Sequence, residues 1–385
     1  MLRVYFSFMN YLDFKSHKYL TLDAKVINHY KKRNYYVLKL KTKTLTFYTT
    51  SREDLKNLLN ENIELTIVTK NVSFKDYLFT FYAPSFNIKL LPVTKAEEYI
   101  EKQHESKEIS DIFKALFLGE SVSYDTRQKL SALGVSHLIA LSGLHLGFIS
   151  LFLYLIISPI YRLFQRKFPY RNRFVDIAAV VFVIEFIYLY ITSFPPSLVR
   201  AYLLEILLFL YAYYLQNPFS LKVLTTLILI SLVFFEKVLS LGYFLSITGV
   251  FYIYLFFRYF KPTFLNSLIL SFYMFAVMFV ISHAFFGNFN LYQLLSPVVN
   301  ILFSLFYPLE IIFHILGYGG VFDEVLKGYL NLGSEYVGVK FPFWFMLLFL
   351  ALSLVAFFKR WAFYGINLIA VLAIIYAIGV SVGKI

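Results

Sequence analysis

The chain has 385 residues, 59% hydrophobic and only 15% charged, with a mean hydropathy of +0.66 and a formal net charge of +13. Soluble domains carry about 25% charged residues, so water is excluded as the main solvent; the lack of cysteine excludes disulfides, thiolate metal sites and cysteine nucleophiles. The positive excess is concentrated in the polar front part and implies an anionic partner, either lipid headgroups or nucleic acid.

Residues 1–17 are apolar and aromatic, too short to span a bilayer, and lack the regions of a signal peptide. They read as the remnant after a missing transmembrane helix. Residues 18–95 alternate in short runs that predict strands over 19–28, 34–41, 44–50, 63–70, 77–82 and 86–91. Ser51 ahead of Asp54 makes a capping-box pattern and predicts a short helix over 51–60. Many short strands with one helix predict a small β-barrel of the OB-like kind. Within it Lys25, Lys31, Lys32, Arg33, Lys39, Lys41 and Lys43 interleave with Tyr30, Tyr35 and Tyr36. Bases stack on such rings while the basic groups follow phosphates; docking on anionic headgroups is the other reading.

Residues 96–133 form a charged, helix-prone connector. From 134 to 385 the chain predicts a polytopic α-helical membrane domain of about nine hydrophobic segments, near 135–160, 174–193, 197–215, 219–235, 239–257, 264–286, 291–316, 341–358 and 361–382. The loop with Arg162, Arg166, Lys167, Arg171 and Arg173 is cytoplasmic by the positive-inside rule. The front domain then lies outside the cell. If every segment crosses once, Arg258 and Lys261 fall inside but Lys359 and Arg360 fall outside. One segment between 264 and 340 is therefore expected to re-enter or lie at the interface, with the glycine-broken stretch 317–340 as its place.

Intramembrane polar groups mark functional positions, because burying them in lipid is costly. His137, Ser142 and His145 stand in an otherwise apolar run; Ser142 and His145 share a helix face, and Gly143 with Gly147 lets a second backbone approach or lets the helix break. Interhelical hydrogen bonding is the competing account of each. Glu185 and Glu205 flank a proline turn at nearly equal separation, so both lie roughly 15 Å deep at 1.5 Å per residue. Arg200 lies about one turn below the outer surface, placed either to snorkel or to meet phosphate. Gln293 and Asn300 surround Pro297 in a broken helix of the kind that lines cavities. Neither a zinc motif nor a nucleotide-binding loop occurs, so no metal and no cofactor are expected.

These pieces in this order resemble the ComEC family of competence proteins: 115–119 as Ala-Leu-Phe-Leu-Gly, 137–145 as His-Leu-Ile-Ala-Leu-Ser-Gly-Leu-His, and 196–201 as Pro-Ser-Leu-Val-Arg-Ala. They continue with 242–246 as Gly-Tyr-Phe-Leu-Ser and 293–300 as Gln-Leu-Leu-Ser-Pro-Val-Val-Asn. The resemblance implies an OB-like domain outside the membrane and a multi-helix domain that passes single-stranded DNA inward. It departs in lacking the helices that commonly precede the OB-like domain and any metallo-β-lactamase-like run of histidines, so no nuclease is expected in this chain.

The leading reading is a bacterial inner-membrane channel for single-stranded DNA, not an enzyme. His137, Ser142, Gly143, His145, Glu185, Arg200, Glu205, Gln293 and Asn300 are its pathway candidates. Its expected partners are single-stranded DNA, the bilayer, a DNA receptor, and a cytoplasmic ATPase or DNA-binding protein. Two alternatives stay open: a proton-coupled carrier of a small solute, and an intramembrane hydrolase using Ser142 and His145.

Overall fold

The computed structural model describes residues 2–32, 35–42, 45–51, 58–78, 80–192, 194–214, 221–234 and 241–383. They divide into two compact units, Met1–Ala115 with Glu120–Ser123, and Leu116–Gly119 with Tyr124–Ile385.

Unit 1 opens with α1 (Leu2–Ser16) and continues through β1 (Tyr19–Lys32), β2 (Tyr35–Lys41), β3 (Thr46–Ser51), β4 (Asn62–Val68), α2 (Phe74–Leu78), β5 (Phe81–Tyr82) and β6 (Ser85–Leu90). The core face alternates as the period of two requires, with Leu38, Leu40, Phe47, Ile63, Leu65 and Ile67 all buried. Tyr11 and Phe14 of α1 join that core, and the Tyr11 hydroxyl donates to the Val72 carbonyl at 3.0 Å. Each such side chain, once buried, stabilises the unit by about 1.5–3 kcal/mol.

Two strand expectations need correction. The predicted strand 77–82 begins inside α2, because Ser73 and Asp76 cap a helix there: the Ser73 hydroxyl donates to Asp76 Oδ2 at 2.5 Å and accepts from the Asp76 N–H at 3.2 Å. The sheet is also not a closed barrel. Its order is β5-β3-β2-β1-β4-β6, with β5 parallel to β3 at one edge and β6 antiparallel to β4 at the other. Pro84, between β5 and β6, has no N–H for a ladder and splits what would be one closing strand into two short edges. Most of the predicted helix 51–60 lies outside the described residues.

Helices α3 (Lys95–Glu101) and α4 (Lys107–Leu118) follow, α3 opening on a capping box between Thr94 and Glu97. Lys25 reaches over to this part of unit 1 and binds Glu97 at 2.8 Å and Glu120 at 2.5 Å, so this lysine is neutralised internally. Burial would raise the Glu97 carboxyl, but hydrogen bonds from Glu120, Lys25 and the Thr94 N–H hold it down at about 2. Burial and then the Glu97 hydrogen bond push Glu120 up to about 8.

Unit 2 runs through α5 (Tyr124–Ala132), α6 (Ser136–Ile139), α7 (Gly143–Gln165), α8 (Arg173–Ile191), α9 (Pro196–Tyr214), α10 (Leu221–Phe234), α11 (Leu241–Tyr259) and α12 (Phe264–Phe285). After β7 (Asn288–Phe289) and a 3-10 turn at Leu291–Leu295 come α13 (Ser296–Leu316), a 3-10 turn at Gly319–Phe322, α14 (Asp323–Asn331), β8 (Val337–Gly338), α15 (Phe343–Ala356) and α16 (Arg360–Val382). Among the described residues, seven helical segments are long and apolar enough to cross a membrane, which fits a polytopic membrane protein. The other two of the nine expected segments are shorter: α15 and the described part of α10 each have 14 residues, or roughly 21 Å at 1.5 Å per residue.

Contacts within unit 2 resolve the charge conflict. β7 pairs antiparallel with β8, Asn288 opposite Gly338, so the section between them returns to the end of the bundle it left and makes no net crossing. The fold-back starts at Gly317, whose φ of +83° ends α13, and Phe322 then packs against Phe306 and Phe313. At the opposite end, Tyr259 donates to the Ala356 carbonyl at 2.6 Å and the Arg258 guanidinium lies 4.5 Å from the Phe357 ring. The basic turns 258–261 and 359–360 are therefore neighbours. The Ser197 hydroxyl donates to the Leu141 carbonyl at 2.6 Å and Arg200 to the Gly242 carbonyl at 3.4 Å, which joins the first turns of α7, α9 and α11. Helices α7 and α11 both run from there, so the 162–173 loop and the 258–261 turn lie at the same end.

Candidate functional site

The unusual feature of unit 2 is a break in the chain between α6 and α7, at residues 140–142. Ser142 is the N-cap of α7: its hydroxyl accepts from the Leu144 N–H at 3.3 Å, and its own N–H donates to His145 Nδ1 at 3.2 Å. Gly143 is the close approach. A Cβ there would lie 3.3 Å from the Ala201 Cβ of α9, whereas Gly147, its partner in the small-residue pattern, has nothing within 4 Å.

The stretch 134–145 lies along the start of α13. Gly134 has a φ of +71°, and a Cβ on it would come within 2.7 Å of the Gln293 Cγ. His137 faces the Asn300 side chain. Asn300 donates to Ser271 Oγ at 3.0 Å, and that hydroxyl donates to the Pro297 carbonyl at 3.1 Å, which ties the proline-broken segment to α12. His145 is fully buried, edge-on to Tyr307 with ring centroids 4.7 Å apart. On the other flank Ser197 and Ala201 bring α9 against the break, and Arg200 turns to the Gly242 carbonyl and the Tyr243 ring. The stretches 134–145, 197–201, 242–243 and 293–300 thus meet around one interruption.

Exposure separates their roles. His137 and Gly143 keep exposed surface, Ser142 and Asn300 are half-buried, and His145, Arg200 and Gln293 are buried. His145 works as a pin for the helix start: Nδ1 is an acceptor for the Ser142 N–H, which leaves that lone pair poorly placed to deprotonate the Ser142 hydroxyl, also at 3.2 Å. The Arg200 Nε is buried without a hydrogen-bond partner. Glu185 and Glu205, 20 positions apart, come together through a residue the sequence pattern did not single out: the Ser150 hydroxyl of α7 contacts Glu185 Oε1 and Glu205 Oε1. A serine in an apolar helix carries no distinguishing signal of its own.

In unit 1 the basic and aromatic residues divide between two faces of the sheet. Tyr30, Lys32, Tyr35 and Val37 line a cavity of about 500 Å³ with Tyr48, Thr50 and Tyr82. Register explains the set, since Lys32 opposes Tyr35, Tyr30 opposes Val37, and Tyr48 opposes Tyr82. Lys39, on the same face, holds its ammonium 5.4 Å from the Tyr48 ring. Lys31 and Tyr36 pair on the other face, also at 5.4 Å. Lys41 ends β2 exposed, Lys25 is bound to its carboxylates, and Arg33 lies outside the described residues. Tyr48 and Tyr82 were legible only from their strand parity.

A cavity walled by tyrosines, with Lys32 in its lining and Lys39 beside Tyr48, suits stacked bases and a phosphate backbone. In the full chain in micelles, Lys32→Ala and Lys39→Ala should each flatten the salt dependence of single-stranded oligonucleotide binding by about 0.7 on a log-log plot. Tyr35→Ala or Tyr48→Ala should weaken binding by about 1–3 kcal/mol at unchanged slope. Lys31→Ala, on the opposite face, should change neither quantity. Equal effects of Lys31 and Lys32 would dissociate binding from the cavity.

The sequence model of a family described as Competence protein matches residues 116–382. No curated protein and no solved structure gives a significant match.

Proposed function

Since the chain belongs to the competence protein family and carries the membrane helices of a multi-pass protein with a role in DNA uptake, we propose that it is the channel through which single-stranded DNA crosses the bacterial inner membrane. The observation that carries this reading is the meeting of residues 134–145, 197–201, 242–243 and 293–300 at the break before α7. Broken helices are tolerated at membrane depth where they border a cavity. His137 presents an imidazole there, Gln293 and Asn300 supply amides, and Ser142, Gly143 and His145 hold the helix start open.

Arg200 is the phosphate contact in this reading. Its bond to the Gly242 carbonyl, at 3.4 Å, is at the weak end of hydrogen-bond geometry, and a charge-assisted bond to phosphate is about twice as strong as a neutral one. The basic turns at the far end face the cytoplasm by the positive-inside rule. Unit 1 then stands outside the membrane and receives DNA from a receptor, with an ATPase or DNA-binding protein collecting it inside.

In cells lacking the chromosomal copy and complemented with the full chain, DNA held on the surface is scored against DNA inside. Arg200→Ala and His137→Ala should each lower internalised DNA by about 10-fold or more, the effect of losing roughly 1.5–3 kcal/mol of charge-assisted bonding, while surface DNA stays constant. Normal internalisation at normal protein level would remove these residues from the pathway. A proton-coupled carrier of a small solute is the second reading, favoured by the carboxyl pair on Ser150; it predicts solute accumulation by vesicles without DNA.

A further inference from the structure

The carboxyl pair fits poorly as a wall for DNA. A polyanion is repelled by carboxylates, and Glu185 is fully buried, with Oε2 making no hydrogen bond. Ser150 has one hydroxyl proton and lies against an oxygen of each carboxyl. That single proton serves only one of the two contacts as a donor, so the other needs a proton carried by a carboxyl. Nothing cationic supplies the balance: among the described residues neither Glu185 nor Glu205 makes an ion pair, and Arg200, on α9 with Glu205, is turned to Gly242 and Tyr243. Tyr202 is a titratable group near both carboxyls, and its hydroxyl donates to the Phe182 carbonyl at 3.1 Å.

A second observation extends from this pair. One turn on from Glu185 along α8 is Tyr188, whose buried hydroxyl lies near Tyr307 of α13 and makes no hydrogen bond. One turn beyond Tyr307 lies Glu310, another buried carboxyl, with Oε2 3.1 Å from His314 Nδ1 and neither oxygen in a well-formed hydrogen bond. Two carboxyl sites buried in one bundle thus flank a pair of neighbouring tyrosines. Burying such groups in a bilayer is expensive, and proton relays are one of the few uses that repay it.

We propose that Glu185, Glu205 and Ser150 form a proton-binding site, linked through Tyr188 and Tyr307 to Glu310, and that proton passage along it accompanies DNA import. The coupling rests on the channel reading; the site itself does not. The step is a transfer alone: a proton adds to one carboxylate oxygen, making the carboxylic acid, and later leaves that oxygen toward the other side, with no other bond changed. DNA and protons then use separate tracks, one bordered by Arg200 and His137 and the other by acids.

Two measurements on the full chain test this. Infrared difference spectra in light and heavy water should show a protonated-carboxyl band that Glu185→Gln and Glu205→Gln each remove, and that Ser150→Ala, which leaves both carboxyls in place, shifts to higher frequency. A spectrum unchanged in all three variants overturns the site. In proteoliposomes with an entrapped pH dye, adding a single-stranded oligonucleotide under an inward proton gradient should start proton entry, lost to the protein-free level in either Gln variant. Oligonucleotide-dependent proton entry that persists in both variants overturns the coupling. A carboxyl band removed by the Gln variants in a protein whose vesicles admit no oligonucleotide supports the proton site and sinks the channel instead.

Discussion

A Gly134→Val chain should reach the membrane in normal amount and yet internalise DNA about 100-fold less than the unaltered protein. The residue sits at a φ of +71°, a region that a β-branched side chain essentially never adopts, and holding valine there costs about 1–2 kcal/mol even before contacts are counted. Contacts add more, because the new Cβ would lie 2.7 Å from the Gln293 Cγ. The only relief is to move Gln293, which begins the segment that carries Asn300 to His137. The clash therefore falls on the junction of the motifs and spares the long apolar helices, so insertion survives while passage fails. Gly147→Ala is the matched control, since a Cβ there has nothing within 4 Å. Equal loss in both chains, read by immunoblot and by DNA recovered from inside cells, would mean that glycine content and not this contact is limiting.

Lys25→Ala should destabilise unit 1 by about 3–5 kcal/mol, the usual consequence of leaving buried charge without its partner. Both carboxyl groups bound by Lys25 are nearly inaccessible, with 8% of the Glu97 and 3% of the Glu120 side chain exposed, and Glu97 carries the charge that would be left unpaired. The loss is measurable in the full chain as faster hydrogen exchange in β1 and β4. The triad also sets a pH dependence. Glu97, held at about 2, contributes stability above the ordinary carboxylate range and loses it as pH falls toward 2. Glu120, pushed up to about 8, does the reverse: its contribution is complete below the ordinary range and is lost as pH rises through 8. Protection of β1 should therefore weaken between about pH 5 and 8, and Glu120→Gln should abolish that decline without affecting the acid side. An unchanged profile in Glu120→Gln would assign the decline to another group.

The front sheet shows where a sequence stops being informative. Lys25 and Lys39 are equivalent as charges in an alternating strand, but the carboxylates that bind Lys25 lie 72 and 95 positions away, beyond any local pattern. The membrane helices were legible because hydrophobicity over about 20 residues is itself the physical requirement for crossing. The break at Ser142 was legible as a capping residue before a small one, and Arg200 as a charge in an apolar run. Closure of the sheet was not, since it turns on one proline at the junction of β5 and β6. Helix α2 was hidden by its surroundings: Ser73 and Asp76 carry a helix start, but the β-rich pattern around them outweighs five residues. Ser150 became meaningful only once three helices brought two acids to one hydroxyl.

The pairing of Asn288 with Gly338 has an architectural consequence. An excursion whose two ends are clasped together contributes an even number of passages, whatever its length, so the parity of everything downstream is insulated from it. Helices α15 and α16 would keep their direction across the bilayer if the excursion were lengthened or shortened. A change of one helix anywhere before it would instead invert the rest of the protein.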